Sequence, residues 1–220
     1  MKVVITGTAT GIGRAAAIKF LEEGHEVIGL DIKESSITGL RYLHYHHYIC
    51  DVADMESLPN IDQVEILINN AGVQDSGRDI EVNLQGVINC TKKYGLQLSI
   101  RSILNQASVS AHNGAEFPEY AASKGGVLTY TKAIAKKIAH RGATCNSISF
   151  GGVTTMLNQS VIEDEKSWNR IMDMTPLKKW VSPYEAAEWI YFLTVINESM
   201  TAQDVIIDNG EMYNHTFVWK

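Results

Sequence analysis

The chain has 220 residues, 45% of them hydrophobic, enough to bury one sizeable core and too few for two full domains. Its formal net charge of −6, with no Lys/Arg-rich stripe or arm, leaves no basic field for nucleic acid. Three cysteines, Cys50, Cys90 and Cys145, are odd in number and far apart, which argues against a disulfide framework or a zinc cluster and for buried thiols in a reducing compartment. No stretch approaches the roughly 20 apolar residues that span a bilayer. The opening Met1-Lys2-Val3-Val4-Ile5 is too short an apolar run for a signal peptide, so a soluble, cytoplasmic protein with no membrane partner is expected.

In chain order, β-rich runs at residues 3–5, 26–30, 45–49, 65–68, 102–106, 143–148 and 204–207 alternate with helix-period stretches. The clearest helices are 14–23 closed by Gly24, 82–100, 120–140 closed by Gly142, and 184–195 after the start signal Ser182-Pro183. Several strand runs are apolar throughout, as in parallel sheets covered by helices on both faces. Alternating βα units predict an α/β fold: one Rossmann domain over residues 1–220, with a doubly wound parallel sheet of about seven strands. No repeat, low-complexity tract or linker marks a boundary.

Between the first strand and the first helix lies Thr6-Gly7-Thr8-Ala9-Thr10-Gly11-Ile12-Gly13. Glycines at such a turn let the backbone approach a pyrophosphate held at the helix N-terminus. The next strand ends in Asp31, near the ~20-residue separation at which an acid accepts hydrogen bonds from an adenosine ribose. That carboxylate repels a 2′-phosphate and favours NAD over NADP, while Lys33 partly offsets the repulsion.

Further on, Tyr120-Ala121-Ala122-Ser123-Lys124 opens a helix, and its i,i+4 spacing sets phenol and ammonium on one face. A nearby positive charge favours the phenolate, which suits Tyr120 to acid–base work. Ser108 follows the strand 102–106 at its carboxyl end, where ligands gather, and Asn83 stands at the head of a long helix. Each also has a plain structural reading: a snorkelling lysine, a turn serine and a helix-capping asparagine. His44, His46 and His47, among Tyr42, Tyr45 and Tyr48, are read as a surface approach to the third strand rather than a metal site. Residues 156–179, with Glu163-Asp164-Glu165 and Trp168, are read either as a lid or as a solvated helical excursion anchored by Trp168. His112, Phe117 and Glu119 are candidates for lining the pocket.

Taken together, these motifs resemble the classical short-chain dehydrogenases/reductases along nearly the whole chain. Thr6-Gly7-x-x-x-Gly11-x-Gly13 resembles that family's cofactor turn, Asp51-Val52 its adenine-contacting pair, and Asn69-Asn70-Ala71-Gly72 the segment ending its fourth strand. Ser108, Tyr120 and Lys124 with Asn83 resemble its catalytic tetrad. Residues 146–155 resemble its nicotinamide segment, with Gly151, Val153 and Thr155 in the contacting places, and Ile206-Ile207-Asp208-Asn209-Gly210 its closing strand. The resemblance implies a small-molecule carbonyl or alcohol substrate, and NAD held by the glycine turn (Gly7, Ala9, Thr10, Gly11, Ile12, Gly13), Asp31, Asp51, Val52, Asn70, Ala71, Gly72, Tyr120, Lys124 and the nicotinamide segment. It also implies a homo-oligomer, tetramer or dimer, paired through helices 82–100 and 120–140. Tyr120 would exchange the proton, Lys124 lower its pKa and bind ribose, Ser108 steady the oxygen, and Asn83 support a relay. The chain departs from the family at Phe150, where proline is usual, and in the ten residues between Gly72 and Asn83, which are few. Two alternatives accompany this reading: a 3-oxoacyl-carrier-protein reductase, and a catalytically silent dinucleotide sensor or scaffold.

Overall fold

Seven apolar runs pair side by side in the computed structural model, which describes residues 1–38, 42–115 and 117–213. The strands are β1 (Lys2–Thr6), β2 (Glu26–Asp31), β3 (Tyr45–Ile49), β4 (Ile66–Asn69), β5 (Ser102–Gln106), β6 (Thr144–Phe150) and β7 (Asp204–Ile207). They form one sheet in the order β3-β2-β1-β4-β5-β6-β7, every neighbouring pair parallel. The order reverses between β1 and β4, and a crevice therefore opens beyond their carboxyl ends.

Each face of the sheet carries its own core. Val3 and Ile5 of β1 pack with Phe20, Ile68, Ile148 and Ile190. Val4, one residue out of phase, packs on the other face with Leu30, Leu67, Tyr94, Ile103 and Ile138. Strict two-residue alternation with apolar side chains on both faces is what the unbroken apolar runs encode.

Helices α1 (Gly11–Glu22) and α7 (Pro183–Tyr191) pack together over the first face. A capping box between Ser182 and Glu185, with Pro183 in the first turn, starts α7, which runs on as the π-helical turn Phe192–Ile196. Helical segment 80–95, here α2, is π-helical at Ile80–Gln85, α-helical at Gly86–Cys90 and π-helical again at Thr91–Gly95. It stops five residues before the expected residue 100, because Gln97 turns in to bond the Val64 N–H and the Ile61 carbonyl. The short α3 (Ser110–Asn113) packs on α4 (Pro118–Ile138). Residues 50–65 carry no helix; buried Val52, Leu58, Ile61 and Val64 fill that side instead. Residues 156–179 fold into α5 (Gln159–Glu163) and α6 (Glu165–Met174), α6 capped by Asp164 on the Ser167 N–H. All three cysteines are buried and free. Among the described residues no helix is long and apolar enough to cross a membrane.

Candidate active site

The crevice begins at the glycine turn. Gly7 and Gly11 hold φ of +76° and +56°, the left-handed region that favours glycine. A Cβ on Gly13 would overlap the Gly7 carbonyl oxygen and Asn70 Nδ2, so α1 can start this close to β1 only with glycine there. Thr10 stands at the helix N-cap, yet its side chain makes no capping bond, and no acid occupies the first turn. The N–H groups opening α1 thus face the crevice without a side-chain acceptor from the cap, the arrangement an anionic group occupies. Ile12 turns away into the core. Thr155 approaches Gly11 from across the crevice, and a cavity of about 340 Å³ lies between Gly11, Arg14, Thr155, Met156, Pro183 and Tyr184.

Around the turn, the residues read as cofactor-binding are braced by one another. The Asn70 and Ala71 N–H groups both donate to Thr6 Oγ1 at 2.9 Å, and Asn70 Nδ2 donates to the Thr6 carbonyl at 2.9 Å. Asp31 accepts the Ala9 N–H on Oδ2 (2.8 Å) and the Lys33 N–H on Oδ1 (2.9 Å). Asp51 accepts the Ala53 N–H and pairs with Arg78 Nη2 at 2.9 Å. Desolvation works against that charge, but the Ala53 and Arg78 bonds outweigh it and hold the Asp51 carboxyl below its ordinary range. Val52 packs on Gly86 of α2, and its carbonyl accepts from Asn89 Nδ2.

Tyr120, Lys124 and Asn83 lie near one another beyond β4 and β5, around Gly72. Lys124 is 3% exposed, lies one turn from Tyr120 on α4, and holds Nζ 5.7 Å from the centre of the Tyr120 ring. Nζ donates to the Gln106 carbonyl at 3.0 Å. Burial pushes the Lys124 ammonium down to about 8, with the Asp79 carboxylate opposing the shift. Gly72 faces both Lys124 Nζ and Asn83 Oδ1; the position its Cβ would take lies 3.4 and 3.1 Å from them. Asn83 does not cap a helix. It sits inside the π-helical turn, fully buried, with Oδ1 on the Val73 N–H, and with Nδ2 on the Val73 carbonyl and Ser123 Oγ. Ser108 follows β5, its neighbours Ala107 and Val109 tied to the Ile148 and Phe150 carbonyls, and its Oγ accepts the Ser110 N–H at 3.2 Å.

The opposite wall is the segment after β6. Phe150 extends β6 by pairing with Ile207, accepts the Val109 N–H on its carbonyl, and buries its ring. Gly151 lies against Asp208, and the Gly152 N–H donates to Glu211 Oε2. Val153 pairs with Val181, and the Thr155 N–H bonds the Val153 carbonyl. A Cβ on Gly152 would overlap the Trp180 indole, and Trp168 of α6 packs edge-on against that indole at 5.1 Å. Trp168 therefore anchors the 156–179 excursion through Trp180.

Three participants escaped sequence reasoning: Trp180, Arg78 and Asp79. Trp180 and Arg78 reach the site through tertiary contacts with no local motif. Buried Asp79 accepts the Asp75 and Ser76 N–H groups and reads as an ordinary helix-start acid. β3 is largely exposed as expected, but half-buried Tyr45 bonds inward to Thr8, and His47 bonds the Lys33 carbonyl at the surface. His112 likewise is tied to Asp204 and Ser149.

A crevice at the switch point, behind a glycine turn and beside a Tyr–Lys pair, defines an oxidoreductase of Rossmann type. The profile of the family described as enoyl-(acyl carrier protein) reductase matches residues 7–211. The chain belongs to the short-chain dehydrogenase/reductase family. It is similar to the 3-oxoacyl-(acyl-carrier-protein) reductase FabG of Thermotoga maritima, at 30% identity over 94% of this chain and 96% of the relative. An uncharacterized oxidoreductase of Bacillus subtilis, YxbG, is 34% identical over 95% of this chain and 90% of its own. Among solved structures, Thermoplasma acidophilum aldohexose dehydrogenase superposes with a TM-score of 0.85 at 26% identity, covering 100% of this chain and 96% of that one. A 4-hydroxyisoleucine dehydrogenase complexed with NADH does so with a TM-score of 0.87 at 25% identity, covering 97% and 99%.

Proposed function

We propose that the protein is an NAD(H)-dependent dehydrogenase/reductase that moves a hydride between nicotinamide and the carbonyl or secondary-alcohol carbon of a small molecule. One observation carries the reading: a nearly buried ammonium, Lys124, is held one helical turn from Tyr120 with Nζ 5.7 Å from the ring centre, the pairing that proton transfer by the phenol requires. A pure dinucleotide binder has no need of a proton-transfer set, which argues against a catalytically silent scaffold.

The turn fits a dinucleotide, since glycine's missing side chains and the uncapped start of α1 leave room and donors for a pyrophosphate. Asp31 at the end of β2 suits ribose hydroxyls, since each carboxylate oxygen keeps a lone pair beyond its backbone bond, and it repels a 2′-phosphate. Asp51 and Val52 border the adenine end; Thr155, Val153 and Gly151 border the nicotinamide end. Bound NAD(H) supplies the hydride chemistry.

The chain's own groups move the proton. In the reducing direction Tyr120 Oη gives its proton to the substrate oxygen, and the phenolate left behind is stabilised by the Lys124 ammonium. Ser108 Oγ, accepting from the Ser110 N–H, keeps its own proton to donate to the same substrate oxygen. Asn83 holds Val73, and with it the wall against which Lys124 Nζ rests. The 156–179 segment covers the substrate side as a lid, and a homo-dimer or tetramer forms through α2 and α4, whose Leu84, Leu128 and Tyr130 stay half-buried. Against an acyl-carrier reductase stand Asp31 and the exposed Glu163, Asp164 and Glu165 near the mouth.

The test is a carbonyl panel of ketones, sugars and 3-oxoacyl thioesters, followed by NADH oxidation with wild type and Tyr120→Phe. Loss of turnover by about 10²–10⁴-fold with NADH binding kept is expected. A variant as active as wild type overturns the assignment.

A further inference from the structure

A side-chain chain runs beneath the crevice from the glycine turn to the end of β2. Tyr45 Oη lies within hydrogen-bond distance of both Thr8 Oγ1 (3.0 Å) and His47 Nδ1 (3.1 Å). His47 Nε2 lies 2.8 Å from the Lys33 carbonyl, which can only accept, so that nitrogen carries a proton. Thr8 is fully buried. Tyr45 reaches it by crossing β2 at Gly29, where a Cβ would overlap both Tyr45 Oη and Thr8 Oγ1. The phenol is pushed up by burial, the Asp31 charge adding to the shift while bonds to Ser35 and Thr8 oppose it.

The two ends of this chain are the two places that hold Asp31. Thr8 precedes Ala9, whose N–H binds Asp31 Oδ2; the Lys33 carbonyl belongs to the residue whose N–H binds Asp31 Oδ1. We infer that Tyr45 and His47 are positioning residues for dinucleotide selection: by tying Thr8 to Lys33 they fix the orientation in which Asp31 presents its carboxylate to the adenosine ribose. The inference rests on the reading of Asp31 as the ribose acceptor. A carboxylate held by two backbone N–H groups is preorganised only as far as those backbones are fixed, and each is the end of a loop. Without the chain, Asp31 is free to turn; ribose hydroxyls lose an oriented acceptor, and a 2′-phosphate meets a carboxylate able to swing away.

Calorimetric titration with NADH and NADPH tests this on wild type, Tyr45→Phe and His47→Phe, with Tyr48→Phe as control. Tyr45→Phe removes one oxygen and leaves the ring over Gly29; Tyr48 lies on the same strand and is 44% exposed. A chain of this kind is expected to lower NADH affinity about fivefold in both test variants. NADPH affinity should stay level or rise, and turnover at saturating NADH should hold. Equal losses for both dinucleotides would mark a merely structural role and overturn the inference, as would unchanged NADH affinity. If wild type itself shows no preference for NADH, the reading of Asp31 falls and the inference with it; if wild type prefers NADH and the variants keep that preference, the inference alone falls.

Discussion

Replacing Lys124 with methionine separates catalysis from stability more sharply than any other change at this site. Methionine follows the aliphatic stem of the lysine and removes only the ammonium. Burial lowers that group from its ordinary 10.5 to about 8, which at neutral pH corresponds to about 3 kcal/mol charged against the folded state. The variant also loses the bond from Nζ to the Gln106 carbonyl, worth about 1–2 kcal/mol. Lys124→Met is therefore expected to be more stable than wild type by about 1–2 kcal/mol at pH 7, a shift of about half a molar in urea midpoint, with carbonyl reduction abolished. The pH dependence carries a signature. Between about 8 and 10.5 the unfolded chain holds the Lys124 proton more tightly than the folded one, so this residue's contribution rises with pH across that window. Below it the penalty is fully present. The variant's advantage should thus shrink from pH 8 toward 10.5. Comparing wild type with variant cancels the raised tyrosine and cysteine groups, which act oppositely at high pH. Urea titrations by tryptophan fluorescence at stepped pH measure this. A variant less stable than wild type at pH 7, or an advantage constant through pH 10, would refute the reasoning.

Other substitutions probe the remaining parts. Gly13→Ala forces the Gly7 carbonyl and Asn70 apart, and should cost about 1–3 kcal/mol of stability while abolishing dinucleotide binding, read by thermal melts and calorimetry. Gly152→Ala drives a Cβ into the Trp180 indole; faster proteolysis within 156–179 and a changed tryptophan emission are expected, with the core melting transition retained. Arg78→Leu frees the Asp51 carboxyl of its partner, and a rise in the Asp51 pKa, followed by NMR titration, is expected. Light scattering on the purified protein should give the mass of a dimer or tetramer.

Most of the fold is legible in the sequence because parallel strands buried on both faces leave long apolar runs, and glycines and prolines punctuate the helices. The strand runs 45–49, 102–106 and 204–207 coincide with β3, β5 and β7. Helix α2 is legible in place but not in kind: its π-helical turns answer to Asn83 bonding Val73 and to Gly95 fitting closely against Ile103, contacts between distant residues that a local periodicity does not carry. The glycine turn and the Tyr120–Lys124 pair are legible because the proposed function ties residue types to fixed spacing. The Tyr45–His47 chain is not, since a polar alternating strand looks the same whether its side chains meet solvent or cross a neighbouring glycine. Trp180 and Arg78 are hidden for the same reason: each acts on a residue more than twenty positions away.

The most direct test of the account is calorimetric titration of the purified protein with NADH and NADPH, repeated on Asp31→Ala. Clearly tighter binding of NADH by wild type, with the preference lost in the variant, is the predicted result. Binding of neither dinucleotide at millimolar concentration would contradict the assignment of the crevice as a cofactor site, and with it the proposed reaction.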